Sequence, residues 1–228
     1  MGAGGDQAGV NACHLGPSVS QKGAANMTIS SSSEQREPFS PDAPVVFAFC
    51  DHAPNDAVAQ LIAHTLPGSQ LVFVNQGAGE SDEARSSAIG DGLCNMRALA
   101  ASVEDLAHAI GNRRRLCPRQ AVYGIGYATG ATQLATLLVK YPDLFERTAL
   151  LHPLVSWVPP GNAELQGKRI LVTGGQDDPA RPLALTEQLV DYLAGQKADV
   201  RALYIRGGDE IGQEELMALR DFLQAPRD

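Results

Sequence analysis

The sequence predicts an α/β fold built on a mainly parallel sheet covered by helices on both faces. Two observations carry that prediction. From Pro44 onward, short apolar runs alternate with segments of helical periodicity, as expected when strands are joined by crossover helices. The runs are unbroken rather than alternating, so both faces of each strand are buried. In such sheets ligands bind at the carboxyl ends of the strands, and the candidate residues below all fall at such ends.

In chain order, residues 1–43 are rich in Gly, Ser, Ala and Pro and lack a hydrophobic period. They bury too little apolar surface to offset ordering, so a disordered tail is expected, with the domain over 44–228. Met27, just before Thr28-Ile29-Ser30, is an alternative start. Pro44 to Cys50 reads as the first core strand. A helix follows through Val58, Leu61, Ile62 and Leu66, with Asn55 or Asp56 suited to cap it and Gly68 to end it. Gln70 to Val74 is the next strand. Asn75 to Asn95 reads as a long loop. Met96 to Ile110 is a helix with Leu99, Val103, Leu106 and Ile110 on one face, closed by Gly111 and Arg113-Arg114-Arg115. Ala121 to Ile125 is a strand and Ala131 to Tyr141 a helix. Arg147 to His152 and Lys168 to Thr173 are strands, separated by a loop from Pro153 to Gly167. Pro182 to Leu193 is a helix, Val200 to Ile205 the last strand, and the closing helix carries Ile211, Leu216, Leu219, Phe222 and Leu223. The pattern therefore implies about six or seven strands.

Composition narrows the partners. A net charge of −8 disfavours a nucleic-acid backbone. No apolar run is long enough to span a bilayer. Cys13, Cys50, Cys94 and Cys117 form neither a CxxC pair nor a metal spacing with histidine, and are expected as reduced thiols in a cytoplasmic protein. No metal or cofactor is expected. The partner expected is a small ester or acyl ligand, and a homodimer stays open.

The stretch that organises the chain is Ala121 to Pro142. Gly126-Tyr127-Ala128-Thr129-Gly130 joins a strand to a helix. Glycines two places either side of a central residue remove side chains where a strand turns sharply into a helix, the spacing of the Gly-x-Ser-x-Gly nucleophile elbow. Here the centre is Ala128, whose methyl cannot attack an acyl carbon.

From Pro44 onward the chain resembles the small carboxylesterase/phospholipase branch of the α/β-hydrolase superfamily, which includes acyl-protein thioesterases. GYATGATQLATLLVKYPDLFERTALLHPLV resembles the elbow, its helix and the next strand. ILVTGGQDDPARP resembles the strand and loop of the catalytic acid, and YIRGGDEIGQEELMALRDFL the last strand, histidine loop and closing helix. The resemblance implies that Ala128 holds the nucleophile position, Asp178 the acid position and Asp209 the histidine position. The family's His-Gly oxyanion loop corresponds to Cys50-Asp51-His52-Ala53-Pro54-Asn55, another departure. The triad of this fold follows the order nucleophile, acid, histidine, and no histidine follows His152.

Each candidate has a plainer alternative. Thr129 offers a backbone N–H to a carbonyl or anion and a hydroxyl as substitute nucleophile, or simply caps the helix. Asp178 and Asp209 would repel, share a proton or hold a cation between them; alternatively they are a solvated turn-former and an N-cap. Cys50 and His52 form a nucleophilic dyad, or a buried strand cysteine and a loop histidine. His152 rims the site, as a ligand to an anion or as a satisfied side chain. Trp157 lines an acyl pocket or covers the sheet. The function expected is a pseudo-hydrolase that binds an acyl ligand or regulates. The alternatives are an ester hydrolase with a reassigned site and a carboxylesterase inactivated by engineering.

Overall fold

The structure is a computed structural model that describes residues 28–31, 43–50, 56–75, 92–208 and 210–226. Its strands are β1 (Thr28–Ser31), β2 (Val45–Cys50), β3 (Gln70–Asn75), β4 (Val122–Tyr127), β5 (Arg147–Leu151), β6 (Arg169–Gly175) and β7 (Asp199–Ile205). Its helices are α1 (Asp56–Thr65), α2 (Gly92–Leu116), α3 (Thr129–Lys140), α4 (Leu183–Gly195) and α5 (Gln213–Gln224).

The seven strands form one sheet in the order β1-β3-β2-β4-β5-β6-β7. All neighbours run parallel except β1, which pairs antiparallel with β3 at the edge. The unbroken apolar runs account for this arrangement: β2, β4, β5 and β6 are buried along nearly their whole lengths, which requires cover on both faces. On one face Val103, Leu106 and Ile110 of α2, Leu134, Leu137 and Leu138 of α3, and Leu189 and Leu193 of α4 pack on Val45, Phe47, Phe49, Leu150 and Val172. On the other, Val58 and Ile62 of α1 and Leu219, Phe222 and Leu223 of α5 pack on Val46, Tyr123, Ile125, Ala149 and Leu171. The strand order reverses direction between β2 and β4, the kind of point at whose carboxyl ends open α/β sheets bind ligands.

Three sequence expectations change. Thr28–Ser31 lies inside the segment expected to be a disordered tail, yet forms β1, because the exposed ladder of β3 offers it backbone partners. The helix expected over Met96–Ile110 begins at Gly92 and runs through Gly111 to Leu116. Arg113 lies within it, buried, and its Nη2 donates to Gln70 Oε1 (2.5 Å) and Gln120 Oε1 (3.2 Å), so the helix gains tertiary bonds beyond the position where glycine would otherwise favour an end. Cys117, expected reduced, is disulfide-bonded, and its partner side chain lies outside the described residues. Local spacing rules see close cysteine pairs and miss such a long-range one.

The closing helix is anchored from beneath. Arg147, at the start of β5, is 2% exposed. Its guanidinium donates to the carbonyl oxygens of Phe222, Leu223 (2.8 Å), Ala225 and Pro226 (3.0 Å). The last carbonyls of a helix have no intrahelical partner and carry partial negative charge, and a fork of fixed N–H donors satisfies several at once. Arg147→Met should therefore leave several carbonyls without their cation. It is expected to lower stability by about 2–4 kcal/mol in urea denaturation, and Arg147→Lys should recover only part of the loss.

Candidate functional site

The turn after β4 sets the site. Ala128 adopts φ 53°, ψ −118°, a combination that costs a residue with a Cβ on the order of 1–3 kcal/mol. Tertiary bonds impose it: Ala128 N–H donates to Leu151 O on β5 (2.9 Å), and Ala128 O accepts from Thr132 N in α3 (3.1 Å). The flanking glycines are required by space. A Cβ on Gly126 would stand 2.6 Å from Ala131 Cα, and one on Gly130 would stand 2.1 Å from Phe49 O. The first lets the helix fold back on its own strand, and the second lets it cross the end of β2. Ala128 thus sits at the apex of a strand–turn–helix, 7% exposed.

The register aligns what lies beside it. Tyr127 pairs with Leu151 and Leu151 with Thr173 across β4, β5 and β6. The ends of β4 and β6 flank β5 and so stand roughly 10 Å apart. Beyond β6, Gln176 N–H donates to Ile205 O (2.8 Å) and Asp177 N–H to Gly207 O (3.0 Å). A Cβ on Gly175 would stand 2.1 Å from Gly208 O, so the loops after β6 and β7 run in contact.

Asp178 lies in the first of these loops and is buried rather than solvated. Its Oδ1 accepts from Ala180 N (2.8 Å) and Arg181 N (3.1 Å), and its Oδ2 accepts from Arg181 Nη1 (3.2 Å). Burial pushes its pKa up, but the backbone bond from Ala180 and the two bonds from Arg181 outweigh this and hold it below the usual carboxylate range. The acid expected to face Asp209 is therefore ionised on a guanidinium. Arg181 has no part in the sequence expectations, although its spacing three residues after Asp178 could have suggested it.

His152 is a satisfied side chain rather than an open one. It follows β5 with φ 53°, is 1% exposed, and its Nε2 lies 2.9 Å from Glu215 Oε1, itself fully buried. Glu215 is a residue the sequence motifs do not single out, although Gly212-x-x-Glu215 has the spacing of a capping box: its Oε2 accepts from Gly212 N (3.1 Å). Burial raises the Glu215 pKa. The hydrogen bonds from His152 and the Gly212 N–H outweigh this and hold it low. With Gly212 preceding α5, the N-cap expected at Asp209 lies three residues further along.

Thr129, the first residue of α3, is exposed. Cys50 ends β2 beside Gly130, half-buried and with its thiol outside any disulfide. Trp157 is partly buried against the core, and its loop is strapped to α3 by two bonds between Thr132 Oγ1 and the Leu154 backbone. Asp51, His52 and Asp209 lie outside the described residues.

Comparison with known proteins places this geometry. No family model matches the chain. Over 104 residues it is 28% identical to MhqD of Bacillus subtilis (strain 168), which carries a hydrolase name; the match spans 46% of this chain and only 52% of that one. A protein of unknown function from Agrobacterium tumefaciens, Atu2452, shares 27% identity with a TM-score of 0.63, over 79% of this chain and 90% of that one. The Bacillus cereus carboxylesterase superposes with a TM-score of 0.66 at 18% identity, over 88% of this chain and 94% of that one. The chain has the α/β-hydrolase fold, in the form shared by solved carboxylesterases and phospholipase/carboxylesterases.

Two outcomes follow from the geometry. Glycine relaxes the turn but adds freedom to the unfolded chain. Relief of strain outweighs that added freedom, so Ala128→Gly should stabilise the protein by about 1 kcal/mol in urea denaturation. Asp178 and Glu215 have pKa values below their ordinary 3.8 and 4.5. Their stabilisation is complete above those values and is lost as pH falls through the lower folded ones. The urea midpoint should drop on acidification below the ordinary carboxylate range, and less steeply in Glu215→Gln.

Proposed function

We propose that this α/β-hydrolase-fold protein has lost serine-hydrolase catalysis and acts as a binding or regulatory protein for a small acyl ligand. The observation that carries the reading is a methyl at the apex of a strained strand-to-helix turn, where this fold presents its nucleophile. The turn keeps its cost in backbone strain, but its apex holds no group able to attack a carbonyl. Two further features support it. No histidine follows His152 in the sequence, so a base cannot arrive in the fold's own order. Asp178, in the acid position, is engaged by Arg181 instead of an imidazole.

The scaffold for binding remains. The first N–H groups of α3 receive no side-chain cap from Ala128 and face the strand ends, where they can donate to a carbonyl or carboxylate oxygen. The second reading, an ester hydrolase with a reassigned site, rests on Cys50, whose backbone at the end of β2 lies against Gly130 at the start of α3.

Three measurements separate these readings. The purified protein should form no adduct with a fluorophosphonate probe and hydrolyse p-nitrophenyl butyrate at the background rate. Ala128→Ser combined with Asp209→His should recover measurable esterase activity. Turnover by the unaltered protein that disappears in Cys50→Ala would sink the proposal and favour the reassigned site.

A further inference from the structure

Residue 209 is flanked by two anchors of different kind. On its N-terminal side the chain is fixed by backbone: Gly207 O accepts from Asp177 N, and Gly208 O lies against Gly175 too closely for any side chain there. On its C-terminal side the anchor is a single carboxylate. Glu215 reaches back from the first turn of α5, its Oε2 accepting from Gly212 N (3.1 Å) and its Oε1 lying 2.9 Å from His152 Nε2. His152 is itself held, since its backbone N–H donates to the Thr173 carbonyl oxygen (3.1 Å). One buried carboxylate thus joins the chain entering α5 to the end of β5, whose Leu151 accepts the Ala128 N–H.

The burial of this pair needs an explanation. His152 and Glu215 are 1% and 0% exposed, and His152 bears a positive φ that an L residue adopts only at a cost. Apolar residues of similar volume usually serve stability as well as or better than a buried polar pair. Geometry is what an apolar pair cannot supply: a carboxylate with one oxygen on each partner fixes their separation and direction.

We propose that Glu215 is a positioning residue of the strand-end site, holding residues 210–212 against the His152 end of β5 so that the wall opposite Ala128 keeps one conformation. The proposal rests on the reading that these strand ends form the functional site, but its test does not require a ligand.

Amide hydrogen exchange on the full chain compares Glu215→Leu, which keeps the volume and removes both bonds, with Glu215→Gln, which keeps a side-chain oxygen and adds an N–H. In Glu215→Leu, exchange in residues 206–213 and 152–155 should rise by about tenfold or more while β4 keeps its protection, the mark of local rather than global opening. In Glu215→Gln most of that protection should return, because an amide can still bond Gly212 or the imidazole. Unchanged exchange in Glu215→Leu, or a uniform rise that includes β4, would overturn the proposal, as would equal loosening in the two variants. If Glu215→Leu does not fold, Glu215→Met takes its place and is judged by the same outcomes against Glu215→Gln. Absence of activity in the Ala128→Ser, Asp209→His protein would count against the functional reading and leave the exchange result standing.

Discussion

The contact between Ala128 N–H and Leu151 O is the constraint on which the site depends. It holds the end of β4 level with β5 at the point where the chain must leave the sheet. Once that bond is made, the next residues have little room, and the chain escapes only through a left-handed backbone into α3. Gly126 and Gly130 make the escape sterically feasible, one by admitting the helix against its own strand and the other by letting it pass over Phe49 O. The glycine spacing is therefore a consequence of close packing, independent of the side chain at the apex. That independence explains how the turn can persist in the absence of a hydroxyl.

A second constraint acts on α5. Both of its ends are tied to β5, the strand beneath it. Arg147 at the start of the strand collects the last carbonyls of the helix, and His152 just past the strand's end meets Glu215 in the helix's first turn. Charge matches polarity at each end: a cation lies at the helix C-terminus and a carboxylate at its N-terminus. Leu219, Phe222 and Leu223 supply the apolar area between the two ties. Apolar burial favours the helix on this face without dictating how far it slides along the strand, and the two ties set that position.

Much of the fold is legible in the sequence because its cause is local. Continuous runs such as Val45–Cys50 and Arg169–Gly175 can be stable only between two layers. The spacing of Gly126 and Gly130 marks a tight turn wherever the strand and helix lie. The departures have the opposite cause. Gly111 has the look of a helix stop, but Arg113 finds Gln70 and Gln120, partners 43 and 7 residues away. His152 reads as a rim residue because it ends a strand, yet a residue 63 positions further along draws it inside. The loop order pairs Asp178 with another aspartate, whereas a guanidinium three residues on is within reach.

The sequence by itself determined the parallel, doubly covered sheet, the sharp turn and the absence of a hydroxyl at its centre. Periodicity, glycine spacing and residue identity are properties of neighbours along the chain. Only the tertiary structure decided that Ala128 adopts a strained backbone, that Asp178 is ionised on Arg181, and that His152 and Glu215 form a buried pair. Each of those depends on which groups the fold brings together out of water, where the cost of leaving a polar atom unpaired selects its partner.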